Sequence, residues 1–260
     1  MLLAIEVGNT NVKFGVYETD GGASGTLVHS WRSVTNRQQT GDELAAMLDG
    51  MLRINGVARS AIRRVVVASV VPPLYRALTG LAQRYFGCRP EFMSAARQKL
   101  MPVKTVRPAE LGADLIAGAI GGVAKYGAPL IVVGFGTAIA PGMETSVDAL
   151  VSRAAKLFDV PLVRPPAAIG IDTVTALQSG IVLGFVGQAE YLIAKIAAEL
   201  GATPAVVATG GLAELVATQT KSIDRVDERL VLDGLYHWAT SDHPLDPDIP
   251  DETISTTGGG

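Results

Sequence analysis

The sequence predicts an α/β protein built from two halves that begin in the same way. Apolar runs typical of strands alternate with helix-like segments along most of the 260 residues, as in layered α/β folds. The segment AIEVGNTN at 4–11 is an apolar strand that enters a turn of small polar residues, and IVVGFGTA at 131–138 repeats this pattern. The internal repeat predicts two related halves.

The first elements are predicted to be strands. Residues 2–6 (LLAIE) form a short apolar run and GNTN makes a turn. The following segment, VKFGVYE, places Val12, Phe14 and Val16 on one face. Such alternation on both sides of a short turn is typical of a β-hairpin. A Gly/Ser-rich turn at 21–25 leads to a third predicted strand, TLVHSW.

Helices and strands alternate in the rest of the first half. A helix is predicted over 41–54, because its leucines and methionines recur at helical spacing after Thr40 and Asp42, both suitable N-cap residues. The run RRVVVASVV is predicted to be a buried strand that two prolines close. A further helix is predicted over 74–86.

The second half repeats this alternation. The apolar stretch 115–133 is about as long as a membrane span, but its lysine, proline and glycines predict a helix, a turn at 126–129 and the buried strand LIVV. The remaining predictions are helices over 146–157 and 173–200, the strand AVVAT, a Gly210-Gly211 turn, and helices over 212–217 and 230–239. The helix over 173–200 has more apolar residues than one buried face needs, so it either seals a dimer or is an ordinary core helix.

We place the boundary between the halves after residue 115. Residues 1–115 then form the N-terminal half and residues 116–239 the C-terminal half. Residues 240–260 contain three prolines, five acidic residues and a glycine tail. This composition predicts a disordered extension.

Charge and cysteine content narrow the functional classes. Lys plus Arg total 22 and Asp plus Glu total 25, giving a net charge of -3, so neither nucleic acid nor an anionic membrane is an expected partner. Cys88 is the only cysteine and the three histidines are scattered, which excludes an internal disulfide and a Cys/His zinc site. With no basic leader before the first strand, we expect a cytoplasmic protein that acts on small molecules.

Three turns of small polar residues predict phosphate binding. They are GNTN at 8–11, GFGTA at 134–138 and TGG at 209–211. Glycine lets the backbone approach a phosphate closely, while exposed N–H groups and Asn or Thr side chains donate to its oxygens. Any one of these could be an ordinary turn. The ordered set of three favours a nucleotide bound between two similar halves.

On these motifs the chain resembles the type III pantothenate kinases of the acetate-and-sugar-kinase/actin superfamily. The similarity runs from Met1 to about Ala239 in family order: AIEVGNTNVKFGVYE, VVVASVVPPL, PAELGAD, VVGFGTA, IAPGM, SRAAKL, IGIDTVTALQSGIVLGFVG and ATGGLAELVA. The resemblance implies two ribonuclease-H-like (actin-like ATPase) halves with ATP in the cleft between them. It also implies a homodimer with pantothenate sites near the interface, and a need for Mg²⁺ and a monovalent cation, K⁺ or ammonium. The implied reaction is ATP-dependent phosphorylation of pantothenate to 4'-phosphopantothenate, the first step of coenzyme A synthesis.

The resemblance also implies roles for individual residues. Asp114 matches the general base, and it shares the substrate-binding positions with Gly112, Ala113, Leu115 and Thr173. The ATP-binding positions are Glu6, Gly8, Asn9, Thr10, Asn11, Lys13, Gly136, Thr137, Gly210 and Gly211. From the residues alone, Lys13 could instead lie on a solvated strand face, and Asp114 or Thr173 could be a helix N-cap.

Four features depart from the family pattern. Glu6 stands where the family has Asp, although a longer carboxylate could hold Mg²⁺ through water. Leu115 replaces an arginine, which predicts weak pantothenate binding or a changed acceptor. Gly134 replaces the aspartate that binds the monovalent cation. The segment GTAIAPGM joins directly what the family separates by a β-hairpin of about 15 to 20 residues. These departures leave two alternatives open: a catalytically silent homologue with a regulatory or interaction role, and a kinase for another acceptor.

Overall fold

The computed structural model describes residues 1–19, 25–134, 140, 142–153 and 157–241. They form two compact units. Among the described residues, the first unit consists of Met1–Ala124 together with 230–241, and the second consists of Lys125–Arg229. The chain therefore leaves the first unit, builds the second, and returns with its last helix. This division differs from the predicted halves, 1–115 and 116–239. The helices Ala113–Tyr126 and Leu230–Thr240 pack against the first unit's sheet, although most of the first helix and all of the second follow residue 115.

The described residues form eight strands and eight α-helices. The strands are β1 (Leu2–Val7), β2 (Asn11–Glu18), β3 (Thr26–Val34), β4 (Arg64–Ser69), β5 (Pro90–Phe92), β6 (Leu130–Val133), β7 (Ala205–Ala208) and β8 (Arg225–Val226). The helices are α1 (Gly41–Ile54), α2 (Tyr75–Leu81), α3 (Ala113–Tyr126), α4 (Met143–Arg153), α5 (Thr173–Gln178), α6 (Gly184–Leu200), α7 (Ala213–Ala217) and α8 (Leu230–Thr240).

The first unit is built on a five-stranded sheet in the order β3-β2-β1-β4-β5. Strands β1, β2 and β3 form an antiparallel meander, and β4 and β5 run parallel to β1. This sheet, with helices on both faces, confirms the predicted ribonuclease-H-like α/β class. Strand β5 was not predicted, because three residues that begin with a proline give no strand periodicity.

Side-chain alternation along β1 decides what each face of this sheet contacts. Leu3, Ile5 and Val7 pack with buried leucines of α1 and α2. Leu2 and Ala4 pack in a second cluster with α3 and α8. Since successive side chains of a strand point to opposite faces, Glu6 falls on the α3 face.

Helices α1 and α2 follow the sequence prediction with small differences. Thr40 is the N-cap of α1 and forms a capping box with Glu43, so of the two proposed caps Thr40 is correct. The helix predicted over 74–86 is divided into a 3₁₀ turn at Pro72–Leu74, α2, and a π-helical turn at Ala82–Phe86.

Helices α3 and α8 cross at two glycines. A Cβ atom on Gly234 would lie 2.6 Å from the Ala117 carbonyl carbon and closer still to its oxygen. A Cβ atom on Gly121 would lie 2.8 Å from the Gly234 nitrogen. Only glycine permits this approach. The two helices therefore cover the sheet as one tightly packed pair.

The second unit has a three-stranded parallel sheet in the order β6-β7-β8. Nine residues, 134–142, separate β6 from α4, too few for the hairpin that the family pattern would place there. In the part of the chain that the structure describes, β7 is the only strand paired with β6. That the second half lacks a hairpin stays a prediction, because residues 135–139 and 141 lie outside the described residues. Strand β8 was not predicted, since two residues carry no pattern.

The other helices of this unit lie close to their predicted positions. Helix α4 was predicted over 146–157 but begins earlier, at Met143, and residues 154–156 lie outside the described residues. A π-helical turn, Ser179–Leu183, joins α5 to α6. Among the described residues, Thr173–Leu200 is long and apolar enough to cross a membrane by length and composition alone, a test that core helices also pass. The extension predicted to be disordered, 240–260, begins one residue too early, because Thr240 is the last residue of α8, and residues 242–260 lie outside the described residues.

Candidate active site

The first predicted phosphate loop is the turn between β1 and β2. Val7 pairs with Val12, so residues 8–11 connect the strands. The Gly8 N–H donates to the Asn11 carbonyl oxygen at 3.0 Å. A Cβ atom on Gly8 would lie 3.3 Å from that oxygen, which favours glycine here. The side chains of Asn9 and Thr10 are exposed and can donate to an anion.

The segment between β3 and α1 packs onto this loop. The Thr35 N–H donates to the Thr10 carbonyl oxygen at 2.9 Å, and the Thr35 hydroxyl donates to the Gly8 carbonyl oxygen at 2.7 Å. Arg37 Nη2 donates to Asn9 Oδ1 at 3.1 Å. The sequence analysis missed both Thr35 and Arg37. The available signal was a polar run, TNRQQT, between a strand and a capped helix.

Glu6 and Lys13 form a mostly buried ion pair across β1 and β2. They are register partners, and Lys13 Nζ lies 3.2 Å from Glu6 Oε2 and 3.4 Å from Oε1. Lys13 thus does not lie on a solvated strand face. Burial raises the pKa of Glu6, the Lys13 charge opposes this, and the Asp114 charge adds to it. The turn that carries Asp114 lies near the end of β1, because a Cβ atom on Gly112 would lie 3.5 Å from Val70 Cγ1, and the Val70 N–H donates to the Val7 carbonyl oxygen at 3.0 Å.

Asp114 lies in the first turn of α3. Its Oδ1 accepts a hydrogen bond from the Leu115 N–H at 2.9 Å, whereas an N-cap side chain accepts from a residue two or three positions later. Burial raises the pKa of Asp114, and hydrogen bonds from backbone N–H groups partly oppose the shift. A Cβ atom on Gly112 would lie 2.5 Å from Asp114 Oδ1. The absence of a side chain at Gly112 therefore gives this carboxylate its room.

The other predicted substrate residues occupy different environments. Ala113 is buried in the cluster between the sheet and α3, and Leu115 is half-buried on the same helix. Thr173 lies on the second unit, exposed, as the first residue of α5. It is not the N-cap of this helix, because Asp172 accepts the capping hydrogen bond from the Thr175 N–H at 2.7 Å.

On the second unit, the ends of β6 and β7 place Gly134 beside Thr209. The Thr209 N–H donates to the Val133 carbonyl oxygen at 3.0 Å, and the buried Thr209 hydroxyl has no hydrogen-bond partner among the described residues. A Cβ atom on Gly134 would lie 3.3 Å from Thr209 Cγ2. Gly210 has a φ of +113°, a conformation that favours glycine.

The predicted site residues thus fall into three groups. The first unit brings together Glu6, the loop at 8–11, Lys13 and the turn at 112–115. The second unit carries Gly134, Gly210, Gly211 and Thr173. Gly136 and Thr137 lie outside the described residues.

The carboxylates fit a Mg²⁺ ion held partly by water and phosphate. Glu6 Oε2 is buried and accepts no hydrogen bond in the structure, since its contact with Lys13 lacks hydrogen-bonding geometry. The described residues contain no cluster of three or more His, Cys, Asp or Glu side chains suited to a metal. Kinase Mg²⁺ ions are usually bound by one or two carboxylates plus substrate phosphates, with waters completing the shell. The donor set is compatible with that mode.

Comparison with known proteins gives consistent matches. The family model for type III pantothenate kinase matches residues 2–140 and 138–195. The chain is 41% identical over 251 residues to the type III pantothenate kinase of Roseiflexus castenholzii, covering 90% of this chain and 96% of that protein. It is 42% identical over 251 residues to the one from Moorella thermoacetica, covering 90% and 97%.

Among solved structures, the chain is similar to a protein from Sinorhizobium meliloti provisionally assigned as a 2-dehydro-3-deoxygalactonokinase. The TM-score is 0.52 with 14% sequence identity, over 96% of this chain and 99% of that one. At this identity the likeness shows a shared fold, and it supports the predicted fold class.

Proposed function

The chain belongs to the type III pantothenate kinase family, and from this premise we propose that it phosphorylates pantothenate with ATP. The product is 4'-phosphopantothenate, and the reaction is the first step of coenzyme A synthesis. The observation that carries the proposal is the half-buried Asp114 carboxylate, which Gly112 leaves room for and the Leu115 N–H holds at 2.9 Å, on the unit that also carries Glu6 and the predicted first phosphate loop. Phosphoryl transfer needs little more than positioning and charge neutralisation, and these groups can supply both.

The residues around the β1–β2 turn have the chemistry that ATP phosphates require. The exposed Asn9 and Thr10 side chains can donate to phosphate oxygens. Glu6 would hold Mg²⁺ through Oε2, which is ion-paired with Lys13 but accepts no hydrogen bond from the described residues, and the ion would neutralise charge on the phosphates when bound. Gly136, Thr137, Gly210 and Gly211 are proposed ATP-binding residues from the family resemblance.

Asp114 is proposed to act as the general base. As the pantothenate oxygen forms its bond to the γ-phosphorus, its proton moves to an Asp114 oxygen, and the bond between the γ-phosphorus and the bridging oxygen of ATP breaks to release ADP. A base is more effective when its pKa is closer to the operating pH. The burial that raises the pKa of Asp114 acts in that direction.

The decisive variant is Asp114→Asn, which keeps the shape of the side chain but removes its basic oxygen. Loss of a general base typically lowers turnover by about 10² to 10⁴, while the dissociation constant for ATP should hardly change. ADP release with and without pantothenate measures turnover, and calorimetric titration with ATP measures the dissociation constant. Asp49→Asn, an exposed carboxylate on α1, is the matched control. Near-normal turnover of Asp114→Asn would exclude Asp114 as the base.

A second candidate is a catalytically silent homologue with a regulatory or interaction role. The observation that favours it is the Glu6–Lys13 ion pair, which already occupies the carboxylate expected to serve the metal. The silent homologue is also favoured by Gly134, which replaces the cation-binding aspartate of the family, and by the short connection between β6 and α4. If the chain binds ATP but releases no pantothenate-dependent ADP, this candidate replaces the kinase. If ADP release occurs with another alcohol, the acceptor differs.

The remaining proposals follow from the family and concern assembly and location. We propose a cytoplasmic homodimer. Large apolar side chains are exposed on the second unit, including Ile169, Ile171 and Tyr191, and exposed apolar surface favours association. Sedimentation that finds only monomer at micromolar concentration would contradict the dimer.

A further inference from the structure

We infer that Arg37 binds the phosphate chain of ATP directly. No residue outside the predicted motifs was expected to contact the nucleotide. The inference deepens the proposed function and rests on it in one respect, that ATP is the phosphoryl donor. It does not depend on the acceptor.

Arg37 is held at the first phosphate loop by several hydrogen bonds. Its Nη2 donates to Asn9 Oδ1 at 3.1 Å. Two residues earlier, Thr35 is bound to the Gly8 and Thr10 carbonyl oxygens at 2.7 and 2.9 Å. Three hydrogen bonds, two from Thr35 and one from Arg37, therefore hold this segment against the loop. The guanidinium lies beside the groups that would meet a phosphate.

The bond to Arg37 also determines the orientation of the Asn9 amide. A guanidinium can only donate, so the Asn9 atom that it contacts must be the oxygen. The two N–H groups of the same amide are then turned away from Arg37 and can donate to an anion. Without Arg37, the amide would be free to present its oxygen instead. Asn9 and Arg37 can therefore both donate N–H groups to the same anion.

The charge of Arg37 remains available for an anion. Lys13, on the strand that follows the loop, is already paired with Glu6. In the part of the chain that the structure describes, Arg37 has no carboxylate partner, and its side chain is exposed. Only one of its five N–H donors is used by Asn9. The others suit the planar, bidentate binding of phosphate oxygens that is typical of arginine.

The test is titration of the full chain with MgATP by calorimetry. Arg37→Ala should weaken ATP binding about tenfold, because hydrogen bonds to charged groups are worth about one to two decades in affinity. Arg37→Lys should restore part of the loss. The control is Arg63→Ala: Arg63 is also exposed, but its N–H binds the Met1 carbonyl oxygen at the opposite end of β1, so ATP affinity should not change. Melting curves by circular dichroism verify that each variant is folded.

A double-mutant cycle with Asn9→Ala separates direct contact from positioning. If Arg37 binds phosphate itself, Arg37→Ala weakens ATP binding further in the Asn9→Ala background. No further loss there, or ATP affinity within about twofold of the unmodified chain for Arg37→Ala alone, would overturn the inference. An unmodified chain that binds no ATP would overturn both this inference and the kinase proposal. ATP binding that depends on Arg37, without turnover on pantothenate, would overturn the pantothenate kinase proposal and leave this inference standing.

Discussion

Replacing Gly234 by alanine should destabilise the first unit through the crossing of α3 and α8. The added Cβ atom would lie 2.6 Å from the Ala117 carbonyl carbon. Both sides of this contact are helical backbone, so relief requires the helices to separate by several tenths of an ångström or more. Overpacking of this kind costs typically 1 to 3 kcal/mol, and a rigid backbone neighbour argues for the upper end, about 3 kcal/mol.

A helix-propensity gain of about 1 kcal/mol for alanine over glycine offsets part of this cost. The net loss is about 2 kcal/mol, which lowers Tm by roughly 4 to 8 °C for a chain of this length. Gly118→Ala is the matched control on α3, because its Cβ atom would meet Val231 Cγ2 at an ordinary 3.8 Å. That variant should keep or raise Tm.

Thermal unfolding followed by circular dichroism measures both variants under one set of conditions. Since α3 begins with the turn that carries Asp114, Gly234→Ala should also lower turnover more than it lowers ATP affinity. A Tm for Gly234→Ala equal to or above that of Gly118→Ala would refute the proposed backbone clash.

Four further predictions concern the predicted site residues. Gly112→Ala should lower turnover by about a hundredfold and leave ATP affinity unchanged, because a Cβ atom 2.5 Å from Asp114 Oδ1 would displace the base. Unchanged turnover in the ADP-release assay would show that the Asp114 carboxylate can keep its position beside alanine. Burial raises the pKa of Asp114, so turnover should fall on acidification at a pH above the ordinary aspartate value of about 4. The same shift means that ionised Asp114 costs stability: its favourable contribution is complete at low pH and is lost as pH rises through the raised pKa. Asp114→Asn should therefore raise Tm at neutral pH but not in acid, and an equal change at both pH values would contradict this. Because Gly134 offers no carboxylate, turnover should be similar in K⁺ and Na⁺, and strong activation by K⁺ would disprove that expectation.

Much of the first unit was predictable because its elements have regular patterns. Alternation identified β1 and β2, and the helix over 41–54 has the predicted bounds, since helical spacing and Thr40 coincide there. Elements of two or three residues, β5 and β8, have no periodicity to detect. The assignment of α8 to the first unit depends on long-range packing of Val231, Leu232 and Leu235 against the sheet, which no local pattern contains.

The candidate site was predictable where a motif carried it. The GNTN turn was identified by its small polar residues after an apolar strand, and Asp114 through the family resemblance. The hydrogen bond from Arg37 to Asn9 joins positions 28 residues apart, and the role of Gly112 depends on the orientation of one carboxylate. Neither is encoded in spacing along the chain, because both arise only when separate segments meet.

The return of the chain to its first unit has a consequence for folding during synthesis. Helix α8 covers the face of the sheet that contains Leu2, Ala4 and Tyr17, yet it is made only after the second unit, residues 125–229. At about 5 to 20 residues per second, translation of this insertion takes roughly 5 to 20 s. During that interval one apolar face of the nascent first unit lacks its final helix. The ribosome-bound intermediate should therefore be the species most exposed to chaperones and to aggregation, and truncation before Leu230 would make that exposure permanent.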